Sequence, residues 1–336
     1  MTERVRLDHG EGGSATHRLV REVFASRFGT VGPMDDSALV EQPPGGRRIA
    51  FTTDAFVVRP RFFPGGDIGR LAIFGTVNDL ATAGAEPLAI AAAFVIEEGL
   101  PLDDLIRIAG GMAAAAAAVP VRVVAGDTKV VGRGEADGVF ITTTGIGSVP
   151  VGLDLRSDRI RPGDAAIVSG PVGDHGIAVL GARGELGFST AVESDCGSVL
   201  RLAGAVIRAA PGVRCMRDPT RGGLATAVHE LAESSGVTIV LDERAAPVRP
   251  AVRHTCDAIG LDPLYVACEG RLIAVVPAAE ADAAVAAMRA LPEGSGATRI
   301  GAAESRGRFG GLLLRTALGG TRPMMPLEGA QLPRIC

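Results

Sequence analysis

Twice along the chain the apolar residues switch between strand-like runs and helix-like repeats, and a polar break separates the two passages. That pattern limits the fold to two α/β units more tightly than any bulk property does. In the first passage residues 38–40 and 48–53 read as strands joined by the turn Pro43-Pro44-Gly45-Gly46. Apolar residues at 68, 71, 74, 77 and 80 follow a helical repeat that stops at Gly84. Residues 88–96 read as a buried strand, 102–118 as an Ala-rich helix, and 121–131 and 139–149 as two further strands. Gly147-Ser148-Val149-Pro150 and the polar stretch 154–164 mark the boundary. The second passage opens with a strand at 165–169 and a glycine-rich turn at 170–176. Helices follow at 197–210, 221–235, 251–259 and 278–290, with strands near 237–241, 264–268, 272–276 and 311–314. The expected organisation is an α/β (α+β) chain of two domains, 1–152 and 153–318, followed by a tail, 319–336.

Several function classes fall away on composition. With 47 % apolar residues in 336 the chain can bury two cores, which excludes disorder. A formal net charge of −4 gives no pull toward nucleic acid or an anionic membrane. The most apolar stretch, 108–121, is shorter than a membrane span and holds Gly110, Gly111 and Pro120. The opening residues lack the apolar segment of a secretory signal, so a soluble cytoplasmic protein is expected. Five cysteines, at 196, 215, 256, 268 and 336, include no CxxC pair. Neither a disulfide framework nor a zinc ribbon suits them, and the four internal ones read as small buried hydrophobes.

The tail has a different character. Residues 319–336 hold three prolines and three glycines, which rules out a helix or a central strand. Extended, the stretch from Thr321 would span roughly 50 Å at ~3.4 Å per residue. It ends on a thiol, Cys336. The adjacent α-carboxylate disfavours the thiolate there, and Arg334 is expected to offset this in part.

Lysine is rarer still: of 34 basic residues only Lys129 is not arginine. A lone ammonium amid such a bias points to a role that needs a compact charge or a removable proton. Around it the first half sets aspartates at strand ends and turns: Asp35-Asp36, Asp54, Asp67, Asn78-Asp79 and Asp127. Carboxylates from separate segments, without a His/Cys cluster, suit magnesium and nucleotide phosphates better than zinc. Each has a duller reading as a turn or cap, and Asp67 is the best candidate to cap the helix starting at Ile68. There is no P-loop. Possible phosphate cradles are the His9–Gly13 segment with Gly12 and Gly13, and Gly173-Asp174-His175-Gly176; Arg217, Asp218 and Arg221 sit where a helix begins.

Taken in order, HGEGG (9–13), DDSA (35–38), TTDAFVVRPRFFPGGDIG (52–69), NDLATAGA (78–85), GDTKVV (126–131), GDHG (173–176), RDPTRGG (217–223), EG (269–270) and PRIC (333–336) closely resemble the hydrogenase maturation factor HypE family. The resemblance covers essentially the whole chain. It implies the fold of the aminoimidazole ribonucleotide synthetase superfamily, shared with selenophosphate synthetase and thiamine-monophosphate kinase. An N-terminal sheet domain would bind ATP and Mg2+ and pair two copies into a homodimer, beside a C-terminal α/β sandwich domain.

It further implies a reaction. A HypF-like carbamoyltransferase loads a carbamoyl group on Cys336, and ATP phosphorylates its oxygen. Loss of phosphate leaves a thiocyanate, whose cyanide passes to iron on a HypC–HypD complex for the [NiFe]-hydrogenase centre. The expected catalytic residues are Cys336, Lys129 and Glu269, the last as base for the nitrogen protons. Nucleotide contacts are expected from Gly12, Gly13, Asp54, Asn78, Asp127, Gly173, His175 and Arg221, and metal contacts from Asp36, Asp54, Asp79 and Asp127. The chain departs from the family at Cys268, where asparagine is common. Two rivals are a selenophosphate synthetase or thiamine-monophosphate kinase, and a scaffold that docks by its tail. The first expects Cys and Lys near the N-terminus, absent here before 196 and 129, and neither synthetase nor kinase needs a terminal thiol.

Overall fold

Five strands form the N-terminal sheet, in the order β1 (Ala38–Glu41), β2 (Arg48–Phe56), β7 (Val139–Val149), β5 (Glu86–Glu97), β6 (Val123–Val131). The computed structural model describes residues 14–19, 38–41, 46–184, 186–188, 190–307, 310–327 and 332–336. All pairings are antiparallel except β5 with β6, which the crossover helix α3 (Leu102–Ala118) makes parallel. A two-stranded ribbon, β3 (Phe62–Phe63) and β4 (Gly66–Asp67), leads into α2 (Ile68–Thr82).

Asp67 does cap α2: its carboxylate accepts from the N–H groups of Gly69 (2.8 Å) and Arg70 (3.0 Å). Glycine at 69 and 111 lets α2 and α3 close over that cap, since a Cβ at either would collide with its neighbours. Both helices lie on one face of the sheet. Among the described residues nothing covers the other face, which corrects the expectation of a buried strand at 88–96: Leu88 and Val95 are exposed, as is Phe51 on β2. A continuous apolar run does not tell which face a helix will cover.

The C-terminal sheet runs β14 (Thr321–Met324), β13 (Leu312–Arg315), β10 (Thr238–Asp242), β12 (Thr298–Glu304), β8 (Asp164–Val168), β11 (Ile273–Pro277), β9 (Cys215–Arg217). Its helices are α4 (Asp174–Ala182), α5 (Leu200–Ala209), α6 (Gly223–Ser235), α7 (Pro250–Ile259) and α8 (Ala281–Arg289). The expected strand at 264–268 is instead a 3-10 turn, Pro263–Tyr265, and irregular chain. β14 carries Pro323 and lies at the sheet edge, the place where proline is tolerated. A short helix α1 (Ser14–Leu19) rests on α6, His17 Nε2 lying 2.6 Å from Glu230 Oε1.

The two halves share a core. Ile68, Leu71, Phe74, Val77, Ile90 and Ile141 of the first half pack in one cluster with Val179, Cys196, Ala267 and Ile335 of the second. No helix among the described residues is long and apolar enough to cross a membrane.

Candidate active site at the docked tail

The end of the chain turns back into the junction between the two halves. Ile335 is 1 % exposed in the shared core, and Leu332 and Cys336 pack against it. Burying an isoleucine side chain contributes about 2 kcal/mol to holding the tail there. An oxygen of the Cys336 α-carboxylate accepts from Val57 N–H (2.9 Å), just beyond β2.

Cys336 Sγ accepts a hydrogen bond from Arg221 Nη2 at 2.7 Å. The guanidinium that meets the thiol is thus Arg221, at the start of α6. Arg334 instead turns to Asp137 and to the carbonyl of Val57. Burial pushes the thiol up to about 12; Arg221 opposes this, while the carboxylates of Glu269 and Asp54 add to it. Gly222 and Gly223 place Arg221 there. Both have positive φ, and a Cβ on Gly223 would lie 2.7 Å from the backbone of 264–266.

Glu269 is 3 % exposed, and its Oε1 has no hydrogen-bond partner among the described residues. Burial, then Asp218, Asp195 and Asp54, hold its carboxyl well above the ordinary value. The segment that carries it is clamped on three sides. Its own N–H donates to Asp195 Oδ1 (3.0 Å), and Asp195 is 3.3 Å from Arg271. Asn78 Nδ2 donates to the carbonyls of Glu269 (3.3 Å) and Gly197 (3.0 Å), and Asn78 Oδ1 accepts from Val199 N–H (2.8 Å). Gly270 has no room for a Cβ, which would sit 1.9 Å from the Asp195 carbonyl.

Asp54 faces the same place. Burial raises its carboxyl to about 6 against the pull of Arg221. Its Oδ2 lies 3.6 Å from where a Cβ would stand on Gly75 of α2. Asp79, one turn further along α2, accepts from Thr52 Oγ1 (2.6 Å). Asp54, Glu269, Arg221 and Cys336 therefore converge, with Asp79 close by.

Other expected residues make different contacts. Both Asn78 amide ends are engaged with backbone, so here it joins the two halves. Gly173 N–H donates to Cys268 Sγ (3.2 Å), which aims that thiol into the C-terminal core and away from the tail. His175 is fully buried, with Nε2 2.7 Å from the Ile335 carbonyl and Nδ1 2.8 Å from Ser194 Oγ. Nε2 must donate to that carbonyl, so the ring is the neutral Nε2–H tautomer; burial lowers its pKa accordingly. The GDHG turn thus supports the tail in this structure.

Lys129 and Asp127 lie apart from this cluster. Both are on edge strand β6, where Lys129 Nζ donates to Asp127 Oδ2 (2.7 Å) and Oδ1 (2.9 Å). Asp54 is three strands away, about 14 Å at ~4.8 Å per strand. By register Asp127 stands with Ala93, Thr142 and Ala55, all exposed on the bare face, whereas Asp54 faces α2. Of the aspartates expected as metal ligands, Asp54 and Asp79 lie near one another and Asp127 stands apart from them. Among the described residues no group of three His, Cys, Asp or Glu could hold a metal. Gly12, Gly13, His9, Asp35 and Asp36 lie outside the described residues. No local motif marks Asp137, Arg183, Asp195 or Arg271, because each acts through a partner at least 70 positions away.

Residues 34–149 match the AIR synthase related protein, N-terminal domain, and residues 161–313 its C-terminal domain. The carbamoyl dehydratase HypE of Rhodobacter capsulatus is 53 % identical over 99 % of this chain and 98 % of its own length. A solved structure of the hydrogenase maturation protein HypE in complex with ATP superposes with a TM-score of 0.83 at 44 % identity, covering 99 % of this chain and all of that one. The HypE–HypF complex structure matches with a TM-score of 0.86 at 40 % identity, covering 92 % of this chain and 99 % of that one. The chain belongs to the AIR synthase related family and, within it, to the carbamoyl dehydratases HypE.

Proposed function

We propose that this protein dehydrates a carbamoyl group carried on Cys336 to a thiocyanate at the expense of ATP. The observation that supports this most directly is the convergence of Arg221, Glu269 and Asp54 on the terminal sulfur. In the balanced reaction the carbamoyl oxygen attacks the γ-phosphorus of ATP, releasing ADP. The O-phosphorylated carbon then loses phosphate as the nitrogen gives up its two protons and C≡N forms. The oxygen leaves in the phosphate.

The residues have distinct tasks. Glu269 takes a proton from nitrogen, and its burial makes it a strong base for a carboxylate once ionised. Arg221 holds the substituent that the sulfur carries. Lys129, about 14 Å from Asp54 and on the other face of the sheet, reaches a phosphate only across the contact with a second copy and offers its cation there.

Magnesium fits Asp54 and Asp79: both offer oxygen, both sit between β2 and α2, and burial raises the Asp54 carboxyl despite the Arg221 charge nearby. Mg2+ needs only one or two carboxylates when nucleotide phosphates complete its shell, and it would neutralise charge during phosphoryl transfer.

The partners follow from the same reading. A HypF-like enzyme loads the group, as the complex of a relative with HypF supports, and a HypC–HypD complex takes the cyanide to iron in the cytoplasm. A second copy covers the open sheet face, where Phe51 and Val95 are exposed. The test is mass spectrometry of protein carbamoylated on Cys336. Addition of MgATP should remove the mass of one water; retention of the full carbamoyl mass with ATP bound would rule the dehydration out.

A further inference from the structure

Each of the last four residues has a main-chain oxygen that accepts a hydrogen bond. Pro333 O accepts from Arg183 (2.5 Å), and Arg334 O from Arg183 (2.8 Å) and Arg59 N–H (3.2 Å). Ile335 O accepts from His175 (2.7 Å) and Cys336 O from Val57 N–H (2.9 Å). Val57 with Cys336 and Arg59 with Arg334 run in opposite senses, so the tail adds itself antiparallel to the chain beyond β2. Arg183 also donates to the carbonyl of Arg59 (2.8 Å), which ties the receiving segment to the received one.

A main-chain grip of this kind supplies affinity without reading sequence. Side chains are read at two points. Ile335 enters the shared core. Arg334 bonds Asp137 Oδ2 and donates from Nε to Val57 O (2.9 Å), with the Phe140 ring centroid 5.7 Å away. Asp137 is also faced by Arg59 at 3.5 Å. Arg334, Arg59 and Arg61 together hold its carboxyl below the usual range, the hydrogen bond from Arg334 being the largest cause.

We propose that the cleft is a peptide receptor that selects a C-terminus of the form Pro-Arg-Ile-Cys, with Asp137 and Arg183 as positioning residues. Asp137 chooses arginine two places before the end, and Arg183 fixes the main chain so that the final sulfur stops at Arg221. This rests on Cys336 being the carrier of the reacting group. It extends that reading to two residues which never touch the sulfur.

The experiment follows alkylation of Cys336 by iodoacetamide, site-resolved by mass spectrometry, on the full chain without ATP or carbamoyl donor. Its result is therefore separable from whether dehydration occurs. Arg334→Asp and Asp137→Arg should each speed alkylation at least about fivefold, the scale of a part-exposed ion pair worth ~1 kcal/mol. The double exchange should restore much of the protection. Arg183→Ala should also release the thiol, and Arg183→Lys should not rescue it, because one ammonium cannot span three carbonyls. Cys196, Cys215, Cys256 and Cys268 are buried and report folding in the same spectra. Arg334→Ala, at the chain end, replaces Asp137→Arg if those four become reactive. Cys336 as slow in Arg334→Asp or Arg334→Ala as in the parent, or a double exchange as fast as the single ones, would overturn the proposal.

Discussion

Arg221 donates to Cys336 across 2.7 Å, yet the thiol it meets stays protonated. Burial outweighs the guanidinium and pushes the thiol from 9.0 to about 12. The docked tail thus holds a neutral thiol. The thiolate, which the proposed carbamoyl loading would need, forms more readily once the tail leaves.

The linkage has a definite sign. The docked thiol has the raised pKa, so its contribution to docking is complete below pH 9 and lost as pH rises through about 12. At pH 10 the balance should move about tenfold toward release. Hydrogen exchange of residues 332–336 should show that opening, and Cys336→Ser should abolish its pH dependence. Equal exposure at pH 8 and pH 10 in the parent would remove the argument.

Glu269 has no partner at Oε1 among the described residues and is held well above its ordinary value by burial. Its ionised form therefore appears only as pH rises past that value, and the single-turnover dehydration rate should climb with it. Glu269→Gln should retain ATP binding, lose this rising limb and slow dehydration by about 100-fold or more, the usual scale for a lost general base. Stopped assays read by mass loss at several pH values check both statements.

Asn78 makes three hydrogen bonds to two separate backbone segments, and none is exposed enough for water to replace it readily. Asn78→Ala would orphan the Val199 N–H and take one donor from each of two carbonyls. A destabilisation of about 2–4 kcal/mol is expected in urea unfolding, with dehydration slowed because Glu269 loses its clamp. Unchanged stability would show that the amide contributes no net clamp.

What could be read from sequence was whatever the chain dictates locally. The helix at 102–118 and the strand at 139–149 were expected at the bounds observed, because each has an unbroken pattern between clear stops. The Asp67 cap was legible for the same reason. α4 was hidden by the glycines at its start: Gly173 is its N-cap in the left-handed region, and Gly176 lets it approach Val266. Asn78, Arg183 and Asp137 act between segments that only the fold brings together. Asp127 was misjudged as a neighbour of Asp54, because a motif does not say which face of a sheet it will occupy.

A sharp contrast separates the two kinds of aspartate. Asp67→Ala should cost about 1 kcal/mol through loss of the α2 cap. Its affinity for ATP should match the parent's in calorimetry, since Asp67 points at its own helix. Weakened nucleotide binding without loss of stability would make Asp67 a ligand instead.

Lys129 tests the meaning of the solitary lysine. It is 69 % exposed and bonds both oxygens of Asp127, an arrangement that an arginine would reproduce in bidentate form. If the position served only to neutralise Asp127, Lys129→Arg would be silent. If the residue must leave Asp127 to meet a phosphate, a planar fork locked on the carboxylate is a poorer donor than a compact ammonium on a flexible stem. Lys129→Arg should then keep the parent's melting temperature and lower the dehydration rate by at least about tenfold, roughly 1.4 kcal/mol in the barrier. Full activity would show that charge alone suffices at this site and that the lysine is a survivor of the arginine bias without a task of its own.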